Sequence, residues 1–200
     1  MTERFNQTWW DKNVGQKFGE FKSWIGDFNA ESKVFVRNYV KNAGYKSLVD
    51  LGCGPATEYF GYKNDGYEIS YMGVDSSWVL YSHITSQGVP ALHSPVEEIS
   101  LPDSSFEVAF SRHVLEHLPT FRECLGEMIR IGQKEAINIF FIEPTDEPEK
   151  IDFFEPDQLF HNRYNKQDIE NFLSQNPKVT SFTWVRVNPK EVVLFMKLKE

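Results

Sequence analysis

Two runs, FEVAFS (106–111) and AINIFFIE (136–143), are apolar almost without interruption. Strands read that way when both faces of their sheet are covered. Between them, TFRECLGEMIRIG (120–132) places Phe121, Leu125, Met128 and Ile129 on one helical stripe, with Gly132 as its stop. KSLVDL (46–51) and EISYMGVD (68–75) read as two earlier strands, the second ending in an acid. Strands and helices alternating in this way predict a parallel sheet with crossover helices. The C-terminus changes character: a helix-like NKQDIENFLSQN (165–176) leads to VTSFTWVRV (179–187) and EVVLFMKLK (191–199), joined by Asn188-Pro189-Lys190 as a hairpin. The expectation is an α/β fold, a Rossmann-like doubly wound sheet that is mostly parallel and closed by a C-terminal antiparallel hairpin. Two hundred residues, 40% hydrophobic, suffice for one structural domain with its own core.

Residues 1–45 precede the first strand and are crowded with aromatics: Phe5, Trp9, Trp10, Phe18, Phe21, Trp24, Phe28, Phe35 and Tyr39. AESKVFVRNYVKNAGY (30–45) predicts a helix capped by Gly44, with Val34, Val40 and Phe35 packed inward. The segment reads as a helical cap on the sheet, as a lid over a bound ligand, or as both. The opening residues lack the basic and apolar regions of a secretory signal, and no apolar run nears the roughly 20 residues that cross a bilayer. The expected compartment is the cytoplasm, with no membrane partner. A formal net charge of -8 argues against a grip on phosphate backbones and favours a small-molecule partner over nucleic acid. Cys53 and Cys124 lie too far apart for a thiolate metal pair and read as small buried apolar residues.

The chemistry concentrates in LVDLGCGPATEY (48–59). A dinucleotide fingerprint, Gly-x-Gly-x-x-Gly, needs a third glycine where this chain has Thr57, which weakens the NAD reading. Read as Asp-x-Gly-x-Gly-x-small, the segment runs without a gap through Asp50, Gly52, Gly54 and Ala56 behind its strand. With YMGVDSS (71–77) and SPVEEISLPDSSFEVAFSRHVLEHL (94–118), it resembles the class I S-adenosylmethionine-dependent methyltransferases, and most closely small-molecule members carrying an "LEHL" segment. The resemblance spans residues 46–143 and implies the seven-stranded methyltransferase fold for residues 46–200. It implies S-adenosylmethionine as cofactor, held by the backbone of Asp50, Gly52, Cys53, Gly54 and Ala56. Asp75, followed by Ser76, would grip the ribose hydroxyls, since a carboxylate has acceptor oxygens for two vicinal donors. Pro95 stands where the family often has an adenine-binding Asp, so adenine contacts pass to Val96, Glu97 or Ser94. Ser111 and Arg112 border the crevice beyond strand 4.

HVLEH (113–117) also fits the His-x-x-Glu-His zinc pattern, which requires a sustained helix. Here it follows a strand directly and meets Pro119, so no metal is expected. His113, just beyond strand 4, is the candidate catalytic base; its other reading is a loop-shaping residue. His117 reads as structural or cofactor-adjacent, and His83 and His93 as surface or packing residues. The connection IDFFEPDQLFHNRYNKQD (151–168) offers His161, Asn162, Arg163 and Tyr164 to a polar acceptor, with Asn165 as a helix cap. Together with Trp9, Trp10 and Phe18, His161, Asn162 and Tyr164 form the expected substrate side. The expected activity is methyl transfer to oxygen or nitrogen of a small metabolite. The alternatives are cofactor binding without catalysis and NAD-dependent oxidoreduction.

Overall fold

The computed structural model describes residues 10–12, 27–154 and 159–199, with the backbone alone at residue 154. Trp9 and Phe18 lie outside the described residues, as do Phe5, Phe21 and Trp24. The strands are β1 (Ser47–Leu51), β2 (Ser70–Asp75), β3 (Ala91–His93), β4 (Phe106–Arg112), β5 (Gly132–Phe140), β6 (Phe153–Phe154), β7 (Leu159–Phe160), β8 (Val179–Asn188) and β9 (Glu191–Leu198). The helices are α1 (Glu31–Asn42), α2 (Thr57–Asn64), α3 (Trp78–Ser86), α4 (Arg122–Ile131) and α5 (Lys166–Gln175). One seven-stranded sheet has the order β3-β2-β1-β4-β5-β9-β8. β1 to β5 are parallel, while β9 runs antiparallel to both β5 and β8. The winding reverses between β1 and β4, and the crevice at their carboxyl ends is where such sheets bind ligands.

The helices start and stop for local reasons. Ser77 caps α3 by accepting a bond from the Leu80 N–H, and Asn165 caps α5 through the Asp168 N–H, as serine and asparagine do at such positions. α4 buries Leu125, Met128 and Ile129 against one face of the sheet, with Phe121 beside them, as its stripe predicts.

Two expectations need correction, and three short strands were not placed from the sequence. α1 buries Ser32, Lys33, Val36, Arg37 and Val40, while Val34 is half-buried and Phe35 is exposed. Val40 is inward as expected, and the inward face is set by polar partners beside Val36 and Val40. Ser32 Oγ bonds Glu191 Oε1 at 2.9 Å, Lys33 Nζ bonds Thr57 Oγ1 at 2.7 Å, and an Arg37 Nη donates to the Phe28 carbonyl at 2.6 Å. β5 begins at Gly132 and ends at Phe140, earlier at both ends than its apolar run. Glu135, just before the run, is fully buried, its carboxylate held by Tyr39, Tyr45 and Lys197. At the far end, Glu116 Oε1 accepts from the N–H groups of Phe141 and Ile142 and withdraws them from the sheet. Finally, the connection at 151–168 holds the short β6–β7 hairpin, and β3 forms an edge from only three residues.

Candidate functional site

The turn after β1 is built from left-handed backbone. Gly52, Gly54 and Ala56 have φ of 69°, 54° and 54°, a region that glycine enters freely and alanine at a cost. Gly52 is required by close approach as well, because a Cβ there would run into the Val114 side chain of the loop after β4. A Cβ at Gly54 would meet nothing within 4 Å. The turn is thus pressed against the β4 loop on one side and open on the other.

Asp75, at the carboxyl end of β2, braces this turn. Its Oδ2 accepts from the Gly54 N–H at 2.8 Å and its Oδ1 from the Ser77 N–H at 2.9 Å. Two bonds leave acceptor capacity on each oxygen. Burial pushes its carboxyl up to about 6 against the pull of those N–H groups, so it is mostly ionised at neutral pH. Asp50 sits deeper, on the α1 side, where its Oδ2 accepts from Tyr71 Oη at 2.8 Å. Burial, and then the charge of Glu58, push it up to about 8. Cys53 is buried, and a Cβ on Gly73 would lie 2.7 Å from its sulfur. Ser76 is half-buried with its carbonyl 2.9 Å from His93 Nε2. Val96 belongs to the core beside half-buried Glu97, and Ser94 Oγ closes that turn on the Glu98 carbonyl at 2.9 Å.

Beyond β4 the chain turns abruptly. His113 has φ of 57°, an uncommon conformation for a residue with a side chain. Its Nε2 lies 2.8 Å from Glu191 Oε1, at the start of β9. The same oxygen accepts from Arg112 Nη2 at 2.8 Å, and Oε2 accepts from Asn188 Nδ2 at 2.8 Å. Burial alone would raise the Glu191 carboxyl, but bonds from His113 and Asn188 and the Arg112 charge hold it well below the ordinary carboxylate range. Burial lowers the His113 imidazole despite Glu191, with Arg112 and Lys33 acting in the same direction. It is therefore mostly neutral at neutral pH.

The HVLEH segment forms only a single 3-10 turn, Leu115–His117. A helix presenting both imidazoles on one face is not formed, and His117 Nδ1 lies 2.7 Å from the Phe160 carbonyl. Burial pushes His117 down to about 4. Its ring meets Phe141 at 5.4 Å, His161 at 5.4 Å and Trp10 at 6.3 Å between centroids, and His113 meets Phe141 at 5.0 Å. Beneath it, Glu116 is fully buried with no partner for Oε2 among the described residues, and burial raises its carboxyl to about 7.

The structure joins His113 to His117 through Phe141, and His161 and Trp10 to the same cluster through His117. It does not bring Asn162 and Tyr164 to a free surface. Asn162 is fully buried, its Nδ2 donating to the Leu118 carbonyl and its Oδ1 accepting from the Asp152 N–H. Tyr164 Oη donates to the carbonyls of Leu115 and Leu118. Their polar atoms fasten the connection to the LEHL turn, which corrects the expectation that they meet an acceptor. Ser111 is also fully buried, on the sheet face covered by α4, and its hydroxyl has no partner among the described residues. Arg112 is spent on Glu191 and Ser32.

Sequence reasoning missed Glu191 and Lys33. Glu191 follows a turn and sits in no motif. Lys33 and Arg37, four apart on the face that carries Val36 and Val40, were the legible signal for a polar interface.

Residues 49–140 match the family described as a methyltransferase domain. Among curated proteins, none matches the chain in sequence. The fold is similar to magnesium protoporphyrin IX methyltransferase from Synechocystis PCC 6803, solved with bound S-adenosylhomocysteine. The TM-score is 0.68 at 12% identity, over 96% of this chain and 98% of that one. It is also similar to 1,6-didemethyltoxoflavin-N1-methyltransferase from Burkholderia thailandensis, solved with 1,6-didemethyltoxoflavin and S-adenosylhomocysteine. There the TM-score is 0.67 at 13% identity, over 96% of this chain and 88% of that one. The open backbone at Gly54 and the remaining acceptor capacity of Asp75 suit an adenosyl cofactor. Residues 49–140 thus carry a methyltransferase domain, in a chain whose fold is similar to that of S-adenosylmethionine-dependent methyltransferases.

Proposed function

We propose that this protein transfers a methyl group from S-adenosylmethionine to oxygen or nitrogen of a small metabolite in the cytoplasm, with His113 accepting the proton. The observation that carries this reading is His113 itself. A neutral imidazole is held in left-handed backbone at the end of β4, beside the crevice where the fold binds its ligand. Strain of that kind persists only where surrounding structure over-determines it, and it clusters at functional sites.

The cofactor supplies an electrophilic methyl group, so the protein has to align an acceptor and take its proton. The backbone of Gly52, Cys53, Gly54 and Ala56 would lie along the cofactor's amino-acid end. Asp75 would accept from the ribose hydroxyls, with Ser76 beside it and Val96 and Glu97 near the adenine. Trp10 and His161, joined through His117, would form the acceptor side, and residues 1–45 would act as its cap or lid. Among the described residues, no helix is long and apolar enough to cross a membrane, and the net charge of -8 favours a small acceptor over nucleic acid.

Turnover of S-adenosylmethionine against a panel of hydroxyl and amine metabolites tests the reading. The expected result is acceptor-dependent formation of S-adenosylhomocysteine that is lost in His113→Ala. Tight cofactor binding without turnover on any acceptor would make the protein a binder instead. Asp75→Ala should weaken cofactor binding by about 1–3 kcal/mol in calorimetry; unchanged affinity would remove the ribose role.

A further inference from the structure

Glu191 stands outside every motif of the chain, yet its carboxylate is the point on which the His113 loop closes. Oε1 gathers Ser32 Oγ at 2.9 Å, Arg112 Nη2 at 2.8 Å and His113 Nε2 at 2.8 Å, and Oε2 takes Asn188 Nδ2 at 2.8 Å. An ionised carboxylate only accepts hydrogen bonds. The His113 nitrogen facing it must therefore carry the hydrogen. In a neutral imidazole, the hydrogen on one nitrogen leaves a lone pair on the other, and among the described residues no group bonds His113 Nδ1.

We infer that Glu191 is a positioning residue that locks His113 as the Nε2–H tautomer and so presents Nδ1 as the proton-accepting atom of the site. This rests on the reading of His113 as the base. Glu191 receives a bond from α1 through Ser32 and from the β4 end through Arg112. The ring is thereby fixed from three elements, and the left-handed backbone at His113 is held against its own preference. The charged groups acting on the imidazole are Glu191 from β9, Arg112 from the end of β4 and Lys33 from α1, with His117 next along the same loop. Glu191 is the one among them that favours the protonated ring.

The test is nitrogen and carbon NMR of histidine-labelled full-length protein across pH. It is run on wild type, Glu191→Ala and Glu191→Gln, each with S-adenosylhomocysteine and with S-adenosylmethionine. Wild type should show the unprotonated-nitrogen signal on Nδ1. Glu191→Ala should give mixed tautomers and a His113 midpoint lower by about one pH unit. Glu191→Gln should restore the tautomer, because its amide oxygen still accepts, without restoring the midpoint. A lone pair facing the transferred methyl should feel the sulfonium charge, so the wild-type midpoint should be about one unit lower with S-adenosylmethionine than with S-adenosylhomocysteine. A merely structural pair would not respond to that exchange.

Hydrogen on Nδ1 in wild type, or an unchanged tautomer in Glu191→Ala, overturns the inference, and the first measurement stands even if no variant folds. An identical midpoint with both cofactors overturns Nδ1 as the accepting atom. Failure of either cofactor to bind in calorimetry would sink the functional reading separately, while the tautomer result would still decide the role of Glu191.

Discussion

α1 and α4 cover opposite faces of one sheet and are held there by different physics. α4 buries Cys124, Leu125, Met128, Ile129 and Ile131, so its attachment is non-directional and scales with apolar area. α1 buries two valines together with Ser32, Lys33 and Arg37, and each polar group has a named acceptor. Such an interface is specific in register but vulnerable to loss of any one partner. Its specificity serves the site: the first turn of α1 sets Ser32 and Lys33 beside Glu191 and the helix that follows the glycine turn, and the helix runs back to Tyr39 over Glu135.

Arg37→Ala should show the largest effect. Its guanidinium, 1% exposed, lies 3.6 Å from the Glu58 carboxylate and bonds Asp65 and the Phe28 carbonyl. Removing it strands a buried carboxylate, at a cost of about 4 kcal/mol in denaturant unfolding. Arg37→Met with Glu58→Gln should recover part of the loss; no recovery would mean that the interface depends on shape alone. Leu125→Ala, on α4, should cost about 3 kcal/mol through a cavity. A second substitution next to it has no charge to rescue.

Lys33 separates the two helices by pH. Burial, and then Arg112, lower its ammonium to about 8. A base whose folded value lies below its unfolded value binds fewer protons in the folded state, so stability rises with pH between those values. Between about pH 8 and 10.5 the wild type should gain about 2 kcal/mol relative to Lys33→Met. Parallel stability curves for the two proteins across that window would show that Lys33 is not buried as a charge.

What the sequence made legible follows the same division. The α4 stripe, the mostly parallel sheet with its closing hairpin and the glycine turn depend on period and on backbone permissiveness, which a linear pattern carries directly. The α1 face does so only in part: Lys33 and Arg37 share the side of Val36 and Val40, but their partners Thr57 and Glu58 are brought beneath them by the β1–α2 turn and are not written beside them. At the site, Asp75 was visible as an acid ending a strand. Glu191 was not, since the partners that tie it to the site, His113 and Ser32, lie 78 and 159 positions away, and a pairing of that separation leaves no local trace. Asn162 and Tyr164 were misread for the converse reason: a polar loop residue and a buried loop fastener have the same local signature.

The smallest effect is expected at the other end of α1. Tyr39 Oη lies 2.7 Å from Glu135 Oε1 and receives Lys197 Nζ at 2.7 Å, while Tyr45 Oη lies 2.9 Å from Oε2. Tyr39→Phe removes one donor from a fully buried carboxylate that keeps Tyr45 and Lys197. The cost in unfolding should be about 1 kcal/mol, the worth of one net hydrogen bond. Glu135 lies in the amino-terminal half of β5, away from the crevice at the strands' carboxyl ends, so affinity for S-adenosylhomocysteine should not change. A loss of affinity in Tyr39→Phe would mean that α1 moves as a unit and carries disturbance from Glu135 to Ser32 and Lys33. Unchanged affinity with reduced stability would confine the cofactor's dependence on α1 to its first turn.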